Sequence, residues 1–507
     1  MKIGLQLATS LGVLIGLLRV ACVQAQSPDQ ILAALEARSK RAVKENGPSV
    51  VCIHVSRSDA YHKAPWGSPP NLEYAGDLGA FDAAAARKKV AEHPQRDRLW
   101  RAIADHDLSD PQVVPESFGS GIVIDDAGLI LTNFHVVKDA TKLYVRLPGK
   151  GGSWANIHAG DPRSDLAVLK LLTPPAGLKA LSLGDGDRLR EGQLVFSLCN
   201  SYEPGLRRDG PEASSGQVVA LRQALPSTNL DERELHKPTL HHYGTLLQVD
   251  AKLPPGCSGG VLLDLEGKAI GLSSAVVAVT GDRPGGLAIP FDTGTKRIIE
   301  VLKRGEEVEY GFLGVVLERP EIRGLRENGV RLFRVSPGSP AGRAGFTGGD
   351  VIISVDGKPV RNQSDLLLHV GMGLAGNTVE VEARRGLRII RSPVKLGKFY
   401  YPGPILAAKR PAARFGLRVD HASILNQRNP FPALRLLPEG VVIREVLPGS
   451  PADAALLQPN KLITHVDGKQ VTTPAEYHEV MTKVGRSVTL TIVNPEGQSE
   501  DVTLMEK

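Results

Sequence analysis

Residues 255–260 read Pro255-Gly256-Cys257-Ser258-Gly259-Gly260 and run straight into the apolar Val261-Leu262-Leu263. Glycines around a serine allow backbone conformations that gather amide N–H groups and leave the hydroxyl open to approach. Read alone, a Gly-rich turn is only a turn. Two other segments change its weight. Thr132-Asn133-Phe134-His135-Val136-Val137 places a histidine just after a strand, at the start of a short turn. Ser164-Asp165-Leu166-Ala167-Val168-Leu169 places an acid directly before a buried strand. Singly, His135 reads as a structural histidine and Asp165 as a strand-edge cap. Together, in the order His, Asp, Ser, they supply what acyl transfer needs. A serine hydroxyl is a poor nucleophile until an imidazole accepts its proton. The imidazole needs a carboxylate to fix its tautomer, and the developing oxyanion needs converging donors, for which the amides of Gly256 and Ser258 are candidates.

The surrounding region suits such a site. From Phe118 to about Pro290, short apolar runs alternate with Gly-rich turns, at 121–124, 129–132, 142–147, 167–171, 194–198, 217–221, 246–249, 261–263 and 269–273. Many short strands with turn punctuation predict an all-β barrel or sandwich. A short helix at 298–303 closes it. Upstream, Ser27 as N-cap, Pro28 at N1 and Gln30 at N3 predict a helix start. Ile31, Leu32 and Leu35 give that helix an apolar face, Gly47-Pro48 ends it, and 49–55 reads as a strand. Residues 56–117, with a Pro/Gly-rich start and a charged, partly helical middle containing Trp100 and Ile103, read as an insertion.

The C-terminal third repeats itself. Residues 329–360 match 440–471 without a gap. Val335-Ser336-Pro337-Gly338-Ser339-Pro340-Ala341 corresponds to Val446-Leu447-Pro448-Gly449-Ser450-Pro451-Ala452, and Val355-Asp356-Gly357-Lys358 recurs as Val466-Asp467-Gly468-Lys469. Two copies of a strand–turn–helix–strand unit follow, with 398–411 as the linker.

The whole chain has 507 residues, room for roughly three domains of about 150 residues each. Hydrophobic residues at 42% and charged residues at 23% exclude wholesale disorder and a collagen-like or coiled-coil rod. The net charge of +6, from 61 basic against 55 acidic side chains, reads as a mildly basic solvated surface, with no nucleic-acid partner expected. Lys2 precedes an uncharged stretch at 5–18, too short for the ~20 residues of a membrane span but suited to a signal-peptide core. Val23-Gln24-Ala25 then offers a cleavage site, so residues 1–25 are expected to leave. An uncleaved membrane anchor is the alternative, and Val20-Ala21-Cys22 faintly resembles a lipoprotein box spoiled by Arg19. Removal takes Cys22 and leaves Cys52, Cys199 and Cys257, three thiols that cannot all pair within one chain. The sequence therefore shows no disulfide. No metal-ligand spacing and no phosphate-binding loop occur, so neither metal nor cofactor is expected. His241-His242 reads as a surface-loop pair.

The segments Phe118-Gly119-Ser120-Gly121, 132–137, 164–169 and 256–260 resemble the HtrA/Deg family of trypsin-like serine proteases, and the repeats resemble its PDZ domains. Ser215-Gly216-Gln217-Val218 and Gly286-Leu287-Ala288-Ile289-Pro290 add to the match, which covers most of 30–505. Only 56–117 and 222–243 lack a counterpart. The resemblance implies a mainly β fold: a trypsin-like double β-barrel at 26–305 with 56–117 inserted, an α+β PDZ domain at 309–397, and a second at 412–507. It makes His135 the general base, Asp165 its orienting partner, Ser258 the nucleophile that forms an acyl-enzyme, and Gly256 with Ser258 the oxyanion hole. Leu287, Ala288 and Ile289 become candidates for the primary specificity pocket, suited to small or medium aliphatic side chains; the same residues also read as a plain barrel strand. Gly311-Phe312-Leu313-Gly314-Val315 takes the place of the first peptide-carboxylate loop, and Arg414-Phe415-Gly416-Leu417-Arg418 that of the second, whose module either binds peptide or only packs and spaces. A bound C-terminus adds as a strand, mainly through main-chain hydrogen bonds.

The implied function is an exported, periplasmic serine endopeptidase that degrades unfolded or misfolded proteins as a trimer or larger homo-oligomer. The alternative is a non-catalytic peptide-binding or chaperone scaffold on the same fold. Two departures stand out. Cys257 occupies a place where the family usually has Asn; its side chain is expected to point away from the reacting carbonyl, with a thiol open to oxidation. The glycine register selects Ser258, not Cys257, as nucleophile. Pro254-Pro255 fixes φ and removes amides, stiffening a turn that switches in regulated relatives.

Overall fold

The computed structural model describes residues 27–57, 107–110, 113–149, 151–201, 210–225, 239–274, 286–318, 328–401, 405–428, 438–493 and 497–506. The expected signal peptide, the bulk of the insertion with Trp100 and Ile103, and much of 222–243 lie outside them.

Six strands, β1 (Val50–Ser56), β2 (Ser117–Val123), β3 (Leu129–Asn133), β4 (Lys142–Leu147), β5 (Gly151–Asp161) and β6 (Leu166–Leu171), form a first barrel. Their order is β5-β4-β1-β2-β3-β6, and pairing of β5 with β6 closes it. A second closed barrel follows from β7 (Leu194–Cys199), β8 (Glu212–Gln223), β9 (Leu246–Val249), β10 (Val261–Leu263), β11 (Ala269–Ser274) and β12 (Gly286–Pro290), in the order β10-β11-β12-β9-β8-β7.

Strand side chains alternate between faces, and β10 shows what this achieves. Leu262 joins Val195, Val218, Val249 and Ala288 inside the second barrel. Val261 and Leu263 point the other way, into a cluster with Ile122, Leu131, Leu166 and Leu198 that joins the two barrels. The seam between barrels is therefore a hydrophobic core, and the residues at its mouth are held rigidly.

Helix α1 (Pro28–Asn46) starts as its sequence predicts. The Ser27 hydroxyl accepts the Gln30 N–H at 3.3 Å and the Gln30 side chain accepts the Ser27 N–H at 3.0 Å, a reciprocal cap. The helix closing the barrels, extending beyond 298–303, begins earlier than its apolar pattern suggests, because the Asp292 carboxylate caps it by accepting the Thr295 N–H at 2.7 Å.

Each repeat is a small antiparallel sheet with a helix. The first runs Val315–Leu317, Val330–Val335, Val351–Val355, Thr378–Arg385, Arg388–Lys395, and the second Leu417–His421, Val441–Val446, Leu462–Val466, Ser487–Val493, Ser499–Met505. The likeness reaches the backbone. Asp356 and Gly357 have φ of 48° and 72°, and Asp467 and Gly468 have 48° and 74°, positive at both centres as a tight hairpin turn requires.

The stretch 398–411 is more than a spacer. Lys398 is buried, and Leu406 and Ala407 pair with Gly160 and Ala159 of β5, so this connection is stitched to the first barrel.

Candidate active site

β3 ends at Asn133 and the chain passes at once into α2 (Phe134–Val137), which carries His135 in its first turn. Asp165 comes from the loop before β6, with a φ of 55°, an uncommon conformation for a residue with a side chain. Four contacts hold it. Its carbonyl accepts the Phe134 N–H at 2.9 Å and the Asn133 side-chain amide at 3.2 Å. Its carboxylate accepts the His135 N–H at 2.9 Å and the same Asn133 amide at 3.2 Å. The second carboxylate oxygen lies 2.7 Å from His135 Nδ1. A carboxylate only accepts, so Nδ1 carries the proton and Nε2 presents a lone pair. That lone pair faces the Ser258 hydroxyl at 2.9 Å. The three residues picked from separate stretches of sequence meet in one hydrogen-bonded chain. Asn133, fully buried, belongs to it too; only its position two residues before His135 hinted at that.

The turn before Ser258 needs its glycines. Gly256 has φ 89° and Gly259 φ 86°. A Cβ at Gly256 would come within 2.6 Å of the Phe118 ring, and one at Gly259 within 1.9 Å of the Ser120 carbonyl oxygen. Ser120 braces the turn twice: its N–H donates to the Ser258 carbonyl at 2.7 Å and its hydroxyl to that of Gly256 at 2.8 Å. Among the described residues no acceptor meets the Gly256 N–H.

Cysteine pairing corrects the sequence reading. Cys257 is bridged to Cys199 at the end of β7, with Cα atoms 5.0 Å apart. Two of the three remaining thiols do pair, and Cys52 is the odd one, free and buried in β1. Burial pushes its thiol up to about 12.

His241 is a second correction. It is 5% exposed, with Nε2 3.1 Å from the Ser164 carbonyl oxygen and Nδ1 2.8 Å from the Thr245 hydroxyl. Burial drives its imidazole down to about 4. It is thus neutral near pH 7, donates Nε2–H to the residue before Asp165, and accepts from Thr245. His242 stays half-buried against Thr239.

Beneath the same loop, the buried Asp161 carboxylate accepts from the backbone N–H groups of Arg163 and Ser164 and from the hydroxyls of Ser164 and Tyr310. Burial raises both Asp161 and the Tyr310 phenol. Arg163 is 3% exposed, and among the described residues its Nε and Nη1 have no hydrogen-bond partner; aromatic rings are its main company.

Leu287, Ala288 and Ile289 lie on β12. Ala288 is sealed inside the second barrel and Ile289 in the inter-barrel core, while Leu287 alone keeps accessible surface. In the repeats, Phe312 pairs with Gly397, Leu313 is buried, Gly314 turns with φ 80°, and Val315 opens an edge strand. Phe415 (φ 52°) and Gly416 (φ 82°) turn ahead of Leu417, which opens the edge strand of the second sheet. The turns are built alike: a Cβ at Gly314 would meet the Ser339 side chain at 2.2 Å, and one at Gly416 that of Ser450 at 2.0 Å.

Comparison with known proteins follows this division. Residues 119–272 match the trypsin-like peptidase domain family, and residues 311–396 and 442–494 each match a PDZ domain family. A probable periplasmic serine endoprotease DegP-like of Ectopseudomonas mendocina is 31% identical over 404 residues, covering 76% of this chain and 79% of that relative. Its counterpart in Pseudomonas fluorescens is 31% identical over 411 residues, covering 78% and 80%. The solved structure of the HtrA-type protease AlgW with tripeptide aligns at 23% identity over 72% of this chain and 98% of that one, with a TM-score of 0.48. The chain belongs to the HtrA/Deg family of serine proteases: a trypsin-like serine endopeptidase carrying two PDZ domains.

Proposed function

We propose that Ser258, His135 and Asp165 are the nucleophile, general base and orienting acid of this endopeptidase. The carrying observation is the unbroken chain from the Ser258 hydroxyl through the His135 ring to the Asp165 carboxylate, at 2.9 and 2.7 Å. Ser258 Oγ attacks the scissile carbonyl as Nε2 takes its proton, and Asp165 stabilises the imidazolium. The Gly256 and Ser258 amides stabilise the oxyanion. The imidazolium then gives its proton to the departing amine, leaving an acyl-enzyme, and water attacks the ester with the same base.

The substrates in this reading are unfolded or misfolded chains in the periplasm, the compartment named for the relatives. The apolar surface of Leu287 favours Val, Ala or Leu over Arg before the cut. The residue 312–315 and 415–417 turns hold peptide C-termini against the adjoining edge strands, and the enzyme works as a homo-oligomer. Casein cleavage by the wild type, abolished in Ser258→Ala, tests the chemistry. No cleavage by either protein would leave the peptide-binding scaffold in its place.

A further inference from the structure

We propose that the Cys199–Cys257 disulfide is a positioning element of the catalytic machinery, holding the oxyanion turn in its working shape so that turnover depends on the bridge being closed. This rests on the reading of Ser258 as the nucleophile.

Adjacent residues do opposite jobs here. Ser258 turns its hydroxyl to His135, while Cys257, fully buried, turns its sulfur to β7 and bonds to the buried Cys199. The same two segments are tied a second time, side by side with the first. The Ser120 hydroxyl accepts the Asn200 N–H at 3.0 Å and donates to the Gly256 carbonyl at 2.8 Å. Residues 199–200 and 256–257 are therefore joined once by a covalent bond and once through a hydroxyl. The packing under the turn is close. A Cβ at Gly260 would sit 2.9 Å from the Cys199 Cβ and 2.7 Å from the Leu198 carbonyl oxygen.

The Gly256 and Ser258 amides flank the tied residue. Glycine at φ 89° has many other conformations open to it, so the sequence of the turn does not by itself fix where the Gly256 N–H points. The bridge limits that freedom together with the Ser120 hydroxyl that holds the Gly256 carbonyl, and Pro254-Pro255 restricts the approach from the other side.

A dithiol reductant opens the bridge. Its thiolate attacks one sulfur to form a mixed disulfide, and its second thiolate displaces the cysteine. Two electrons and two protons reach Cys199 and Cys257, which become thiols, while the reagent closes to a cyclic disulfide. Cys52 does not compete, because a thiol titrating near 12 holds almost no thiolate at neutral pH.

Mass-spectrometric mapping of the unreduced protein should give one linked peptide pair containing Cys199 and Cys257. Wild-type protein is then opened with dithiothreitol in mild urea and returned to buffer containing the dithiol, beside an oxidised sample taken through the same urea step. A Cys199→Ala/Cys257→Ala double variant gives a second route to the open state. Rates on a short chromogenic peptide are normalised to sites labelled at completion by a fluorophosphonate, so unfolded molecules do not count. The expected result is a fall in kcat of about 10-fold or more, toward the ~10²-fold cost of losing one oxyanion donor. KM stays unchanged, labelling slows in parallel, and dithiothreitol has no effect on the double variant. A bridge that only stabilises the fold would lower the melting temperature and leave kcat per labelled site intact, which overturns the proposal. Free thiols at both positions would also overturn it. Oxidised protein that neither cleaves nor labels would tell instead against Ser258 as the nucleophile.

Discussion

The guanidinium carbon of Arg163 lies 4.1 Å from the centre of the Phe399 ring. Arg163 stands two residues before Asp165, and Phe399 follows the first PDZ sheet, so this contact joins the loop of the proposed orienting acid to the PDZ side of the molecule. Tyr310 adds a second ring at 4.5 Å. With Nε and Nη1 lacking hydrogen bonds among the described residues, the charge leans on these rings and on the nearby Asp161 carboxylate. Phe399→Ala should cost on the order of 1–2 kcal/mol in urea unfolding and slow turnover, while Phe399→Tyr keeps both near wild type.

Asp165→Asn tests the tautomer argument. An amide nitrogen in place of the carboxylate oxygen would donate toward Nδ1 and leave Nε2 protonated, facing Ser258 with no lone pair. Steady-state kinetics on a peptide should show kcat reduced by roughly 10⁴-fold, the size of effect this change has in a related triad. KM should hold.

His241 sets a pH dependence of stability. Above about pH 6.5 it is neutral both folded and unfolded. Below that the unfolded chain takes up a proton that the folded protein, titrating near 4, excludes. Stability therefore falls as pH drops from 6.5 toward 4, by at most about 3 kcal/mol. Burial is the main cause, opposed by Asp165 and reinforced by His242 and His135. Gln in its place can still donate to Ser164 and accept from Thr245, so His241→Gln should keep activity. Melting temperatures between pH 4.5 and 7 should fall less steeply for the variant than for the wild type.

Lys398 is buried among Glu307 at 2.8 Å, Glu309 at 3.2 Å and Asp420 at 3.0 Å. Burial would raise Glu309, but bonds from His421 and Lys398 overcome it and hold that carboxyl down to about 2. Lys398→Met takes the cation from the half-buried Glu307, while Glu309 keeps His421 and the buried Asp420 keeps Arg444, so the cost should fall below the ~3–5 kcal/mol of a fully broken buried pair. The deficit should shrink in acid, where the stranded Glu307 carboxylate takes up a proton. Urea unfolding at pH 7 and pH 4.5 measures both.

The sequence was informative where a feature is local. Ser258 sits in a glycine register, and Asp165 and His135 each abut an apolar strand, so all three stand out within a few residues. Most barrel strands are legible for the same reason. β5 is not: its inward residues are Ser153, Ala155, Ile157, Ala159 and Asp161, too small or polar to display alternation, and Gly151-Gly152 reads as a turn. The Cys199–Cys257 bridge spans 58 residues, and His241 becomes a core residue only because the loop carrying it packs on Ser164. Such facts arise from where distant segments meet, and no local pattern encodes them.

The pairing of Leu406 and Ala407 with β5 sets a leash on the last domain. Chain between Ala407 and Phe415 reaches at most roughly 30 Å when fully extended. In the proposed reading, in which the 415–417 turn holds a peptide C-terminus, that tail is moored close to the first barrel, so cleavage sites should be counted back from it.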